Sequence, residues 1–241
     1  MSQARDRFAP VRVIPITVRP TRRLLRAMAV FGLALRRAAP RRRPPRWAVR
    51  AAAWLEQSLG TGEVALITGA SGGGKSTLLA ALEHQLAEHG RSVSRVQRLD
   101  TSSRAVIDLV GGTMADALGA LTRAGLGDAT LLGRTPSELS EGERFRLALA
   151  RACAGPGSRR TVLCDEFTSG LDRATAACVA AALGRWARAT GARVAVATAQ
   201  DDLAPALRPR VIVECDGDRV HARLRTVEGR WTTQAFRGRA S

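Results

Sequence analysis

The chain has 241 residues, 45% hydrophobic and 24% charged, with four cysteines and no tyrosine; it is long enough for one good-sized core with an extension, and no run approaches the roughly 18 apolar residues of a membrane-crossing helix. Its formal net charge is +17, but residues 1–50 hold 14 Arg against one acid, Asp6, so the other 191 residues carry only +4. The basic character therefore belongs to an N-terminal extension, 1–50, ahead of a globular part, 51–241.

In chain order, VRVIPITV (11–18) alternates like a short edge strand, weakened by Pro15. Leu24, Met28, Phe31 and Leu35 share one face of a basic amphipathic helix, with Arg22, Arg26, Arg36 and Arg37 around it. Its apolar run AMAVFGLAL (27–35) follows TRRLLR and imitates a twin-arginine export signal, but it is short and more arginine follows, so a cytoplasmic location is expected. PRRRPPR (40–46) is the expected linker. Beyond it, EVALITG (63–69), RSVSRVQRL (91–99), RTVLCDE (160–166) and RVAVATA (193–199) read as strands. KSTLLAALEHQLAEHG (75–90), MADALGALTRAGL (114–126), SEGERFRLALARACA (140–154) and RATAACVAAALGRWARATG (173–191) read as helices. RVIVECDGDRVHARL (210–224) reads as a hairpin turning at Asp216-Gly217. Strands alternating with helices predict an α/β domain with a mainly parallel sheet. Cys153, Cys164, Cys178 and Cys215 lack Cys-x-x-Cys spacing or a nearby His, and are expected to be small buried thiols rather than a metal set. His84, His89 and His221 are scattered and carry no assigned chemistry.

Of the 38 basic residues, Lys75 alone is lysine. A chain that uses arginine wherever a positive charge suffices has kept an ammonium where a compact point charge is needed and a planar fork does not fit. Lys75 stands in GASGGGKST (69–77), where Gly69, four residues, Gly74, Lys75 and Ser76 follow a strand and open a helix, the context a phosphate-binding loop requires. Across Gly69, Ser71, Gly72, Gly73 and Gly74 the backbone N–H groups are free to turn toward a phosphate, with Thr77 completing the set. Lys75 reaches the β- and γ-oxygens, and Ser76 is suited to ligate Mg²⁺. Ninety residues on, TVLCDE ends a strand in two acids. Asp165 belongs at the Mg²⁺ shell and Glu166 on the γ-phosphate side, where a carboxylate polarises water. Together the two motifs predict a P-loop NTPase.

LSEGERFRLALARA (139–152) closely resembles the signature motif of ABC-class ATPases, whose usual form is LSGGQ followed by an Arg-rich helix. TSGLD (168–172) resembles their D-loop, with Asp172 as its acid, and the resemblance covers about residues 60 to 215. DEFTSGLDRATA and ATAQDDLAPALRP further resemble a group of soluble bacterial ABC-type ATPases, some fused to acetyltransferase-like domains. As bare chemistry the signature segment is a Ser-capped helix start with Gly142 beside it, able to meet an anion. The family resemblance implies more: ATP as ligand, Mg²⁺ as ion, and a head-to-tail homodimer. In that dimer Ser140 and Gly142 of one copy hold the γ-phosphate of an ATP bound by Lys75 and Asp165 of the other, and Glu166 is the general base.

Against the family pattern, Gln200 stands where a switch histidine is expected. It can hydrogen-bond the γ-phosphate and water but cannot carry a proton's charge, so slow hydrolysis is expected. Glu141 and Glu143 replace the usual Gly and Gln. The short stretch between Lys75 and Ser140 implies a reduced helical subdomain, roughly 109–154, in which Gln97 and Asp108 are both candidates for the residue that senses γ-phosphate and metal. With no Tyr, the adenine-stacking candidates are Trp47 and Trp54. The Arg-rich extension and the shrunken coupling region point to an ATP switch acting on a nucleic-acid or protein partner. The alternative is the ATP-binding subunit of a membrane transporter, its extension lying against anionic lipid or a permease.

Overall fold

Strands β1 (Arg12–Ile16) and β2 (Leu33–Arg37) pair in parallel, from Arg12 opposite Leu33 to Ile16 opposite Arg37, and the helix α1 (Arg22–Val30) crosses between them. These elements form one of two units, Met1–Arg43, of the computed structural model; the other is Pro44–Ser241. Residues 12–16, 20–37, 44–97, 102–154, 160–200, 202–217, 219–226 and 228–237 are described. Thr21 caps α1, its hydroxyl accepting from the Leu24 N–H at 3.2 Å. The single helical face expected from Leu24 to Leu35 is cut short. The helix stops at Val30, Gly32 turns the chain at φ +63°, and Leu35 continues in β2. The expected linker, 40–46, lies outside the described residues as far as Arg43.

The second unit opens with α2 (Arg46–Ser58), then β3 (Val64–Thr68), α3 (Lys75–Glu88), β4 (Ser92–Arg95), α4 (Met114–Arg123), α5 (Ala129–Leu132) and α6 (Glu141–Cys153). It continues with β5 (Arg160–Cys164), α7 (Arg173–Thr190), β6 (Arg193–Ala197), α8 (Ala204–Leu207), β7 (Val211–Asp216), β8 (Arg219–Arg225) and β9 (Trp231–Arg237). The sheet runs β4-β5-β6-β3-β7-β8-β9. Its first five strands are parallel, and β8 and β9 add antiparallel hairpins at one edge. The α/β, mainly parallel expectation holds, while α2 and β9 go beyond it.

Central β3 is buried along its whole length. Its side chains alternate between two cores, as the pleat requires. Ala65 and Ile67 pack with Leu55 of α2 and Leu78 and Leu82 of α3. Val64 and Leu66 pack with Phe145 of α6 and Leu183 of α7. A third, smaller core of Val106, Leu121, Leu126 and Leu147 holds the short helical segment together. Because the central strands are parallel, the loops that follow β3, β5 and β6 emerge at one edge of the sheet, where a site in an open α/β fold is built.

Candidate functional site

The loop after β3 is pressed against its neighbours so tightly that side chains are excluded. A Cβ on Gly69 would lie 2.1 Å from the Cys215 carbonyl oxygen, and one on Gly73 2.7 Å from the same atom. A Cβ on Gly74 would lie 2.9 Å from the Trp47 ring. Gly69, Gly72 and Gly74 also have φ of +131°, +79° and +97°, backbone that side chains disfavour. The loop's glycines therefore answer to β7 and α2 behind it as well as to any phosphate in front. α3 then starts at Lys75 with no side-chain cap, leaving its first N–H groups toward the loop. The Lys75 ammonium donates to the Gly69 and Ala70 carbonyls, each at 2.8 Å, folded back along the loop it would leave to meet an anion.

A cavity of about 470 Å³ opens in front, lined by Ser71, Gly72, Gly74, Lys75, Ser76 and Thr77, by Asp165, Glu166 and Gly170 after β5, and by Gln200 after β6. Three segments spread over 130 residues of sequence, from Ser71 to Gln200, thus contribute one wall each. Asp165 Oδ1 accepts from the Glu166 N–H at 3.0 Å, and its Oδ2 lies 4.0 Å from Arg95 Nη2, a neighbour on β4 that no motif announces. Glu166 and Thr168 both have left-handed backbone, φ +50° and +62°, on either side of Phe167. Such strain in non-glycine residues is held only where the surroundings enforce it. Here the Phe167 N–H is tied to the Ala197 carbonyl at 2.7 Å and its ring packs edge-on to Phe145. The Thr168 hydroxyl, fully buried, lies 2.6 Å from the Phe167 carbonyl and 3.1 Å from the Gln200 side-chain oxygen. The Gln200 N–H donates to the hydroxyl of Thr198 at 3.1 Å.

Ser140, Gly142 and Asp172 do not line this cavity. Ser140 caps α6 in a reciprocal box: its N–H donates to Glu143 Oε2 at 2.8 Å, and its Oγ accepts from the Glu143 N–H at 3.3 Å. That donation holds the Glu143 carboxyl below its ordinary value. Asp172 caps α7, and Thr175, through its hydroxyl and then its N–H, lowers the Asp172 carboxyl in the same way. The start of α6 packs on the segment after Thr168, since a Cβ on Gly142 would lie 2.8 Å from Leu171. Asp108, exposed in a short 3₁₀ turn (Ile107–Leu109), gives its carbonyl to Arg104, and Gln97 is exposed after β4; neither lines the cavity. Neither stacking candidate lines the cavity: Trp47 is buried behind the loop against Gly74, and half-buried Trp54 has its ring 5.8 Å from that of Phe236.

Burial pushes the thiols of Cys153 up to about 12 and Cys215 up to about 11, and raises Cys164 as well, so these stay protonated and inert at neutral pH. Cys178 departs from the expectation: it is exposed on the outer side of α7. Among the described residues no group of three His, Cys, Asp or Glu side chains is placed to hold a metal. Ser76 and Asp165 on the cavity wall fit Mg²⁺ nevertheless, since that ion takes few protein oxygens and completes its shell with phosphate and water.

Comparison with known proteins gives a match over residues 54–169 to the family model described as ABC transporter. The chain is 33% identical over 198 residues to the lipoprotein-releasing system ATP-binding protein LolD of Maricaulis maris, covering 66% of this chain and 83% of that protein. It is 32% identical to the methionine import ATP-binding protein MetN of Xanthomonas oryzae pv. oryzae, covering 66% of this chain and 57% of the relative. Among solved structures, an ATP-binding cassette in a dimeric post-hydrolysis state with ADP and Pi superposes with a TM-score of 0.54 at 22% identity, covering 66% of this chain and 83% of that one; it speaks for the fold.

Proposed function

The chain belongs to the ABC transporter family of ATP-binding proteins, and from that premise we propose that it is the ATP-hydrolysing subunit that drives a membrane permease. ATP binding and hydrolysis come with the family. The observation that carries the reading is the single cavity in which the phosphate loop, the two acids after β5 and the amide after β6 converge. The lone lysine and the N–H groups of the loop bind the β- and γ-phosphates. Glu166 takes the proton of the attacking water, and Gln200 orients that water and the γ-phosphate by hydrogen bonds, without a charge of its own. Ser76 and Asp165 would hold Mg²⁺, which would supply charge neutralisation of the phosphates.

Ser140 and Gly142, which the family resemblance puts at a γ-phosphate, do not line the cavity of their own chain. We therefore assign them to the ATP of a second copy in a head-to-tail dimer that closes on ATP and reopens after hydrolysis. The relatives are ATP-binding proteins of lipoprotein release and methionine import, which favours the permease over a nucleic acid as the coupled partner. Among the described residues no helix is long and apolar enough to cross a membrane, so the transport path would belong to the partner. The test is purification of Glu166→Gln protein, locked in ATP, from detergent-solubilised cells. A multi-span protein in fixed stoichiometry is expected, and co-purifying nucleic acid that nuclease removes without loss of the dimer would overturn the assignment.

A further inference from the structure

A second cavity lies at the opposite edge of the sheet. It measures about 320 Å³, sits where β3 and β7 begin, and is walled by Glu63, Arg188, Arg208, Arg210 and Arg225. The phosphate loop leaves β3 at its other end, so about 17 Å of strand separates the two cavities.

Its charges do not balance. Glu63 is already committed: Oε2 accepts from the Gly60 N–H at 2.7 Å, and Oε1 lies 3.4 Å from Arg210 Nε. Arg188, Arg208 and Arg225 make no side-chain hydrogen bond or ion pair among the described residues. Other arginines of this unit are matched, Arg95 with Glu83, Arg173 with Asp202 and Arg223 with Glu214. Like charges around one cavity repel, and here the backbone is shaped to hold them together. A Cβ on Gly184 of α7 would lie 2.7 Å from the Leu207 carbonyl oxygen at the end of α8. A Cβ on Gly62, at φ +75°, would lie 3.3 Å from the Arg188 Cα. Arg208 has left-handed backbone, φ 52° and ψ 58°, directly before Pro209, whose ring steers its predecessor toward extended backbone. An adjoining cavity of about 360 Å³ shares Arg208, Pro209 and Arg225 and runs on to Trp231, which is 43% exposed.

We propose that this groove is a second anion site, separate from the phosphate loop, for a small organic phosphate. The phosphoryl oxygens take charge-assisted hydrogen bonds from Arg188, Arg208 and Arg225, and the remainder of the ligand lies toward Pro209 and Trp231. The two cavities together have the size of a small-molecule site.

Calorimetric titration of the full-length chain with tripolyphosphate tests this, using a Lys75→Ala background to silence the phosphate loop. That protein is expected to bind tripolyphosphate still. Adding Arg208→Ser and Arg225→Ser is expected to weaken the binding by at least about tenfold. Adding Arg22→Ser and Arg23→Ser instead, which removes equal charge from the first unit, is expected to leave it within about twofold at moderate salt. Absence of binding in Lys75→Ala, unchanged binding in the Arg208/Arg225 variant, or an equal loss in the Arg22/Arg23 variant would each overturn the proposal. Arg188→Ser alone, at an exposed helical position, gives the same readout should the double variant fail to fold.

Discussion

Gln200 lines the cavity and is held by Thr168, and the chemistry of a hydroxyl constrains how. Thr168 Oγ carries one proton and has two oxygens within reach, the Phe167 carbonyl at 2.6 Å and the Gln200 side chain at 3.1 Å. It donates to one at a time, so the hydroxyl both braces the strained turn after Glu166 and positions the amide. Thr168→Val is expected to lower turnover by about tenfold, the scale of one lost hydrogen bond in a water-poor site, while Thr168→Ser keeps most of it. Gln200→His should raise turnover and bring a new limb near pH 6.5 into the rate profile, since the neutral amide does not titrate and imidazole does. Steady-state phosphate release across pH 5.5–8.5 reads both. Lys75, Asp165 and Glu166 were legible in the sequence because a phosphate loop and a strand-end acid pair are local patterns. Thr168, Arg95 and Cys215 were not, because what they do depends on contacts with segments 30 or more residues away.

At the level of elements, the helical segment between β4 and β5 is pinned by capping carboxylates. Asp116, Asp128, Glu138 and Glu143 each accept hydrogen bonds from the residue they cap or its neighbour, and all four are held below their ordinary values of 3.8 for Asp and 4.5 for Glu. A carboxyl whose value is lowered on folding stabilises the fold fully above its ordinary value and loses that contribution as pH falls through the folded one. This segment is therefore expected to loosen first on acidification below about pH 4.5, ahead of the β3 core. Hydrogen exchange of residues 113–143 followed from pH 6 to 3 checks it; uniform loss of protection across both regions would contradict it. Of the caps, Ser140 is read from the sequence, and those at Thr113, Asp128 and Thr135 emerge from the structure. The helix α2 and strand β9 were not legible: α2 is an Ala-rich stretch directly after the Pro- and Arg-rich break, and β9, six of whose seven residues are exposed, carries no buried alternation to mark it.

Across the whole molecule, the chain divides into the units Met1–Arg43 and Pro44–Ser241, and residues 1–50 carry +13 of the net charge of +17. The family resemblance puts LSEGE and the phosphate loop in one function, and within one copy Ser140 and Gly142 lie outside the cavity that the phosphate loop lines. That separation is what makes a second copy necessary to the proposed cycle. The most direct test is sedimentation of Glu166→Gln protein with and without ATP. The sandwich arrangement predicts a monomer that becomes a dimer on adding ATP, and a return to monomer when Ser140→Arg is added to the same chain. ATP-bound Glu166→Gln protein that sediments as a monomer, or a dimer indifferent to Ser140→Arg, would contradict it.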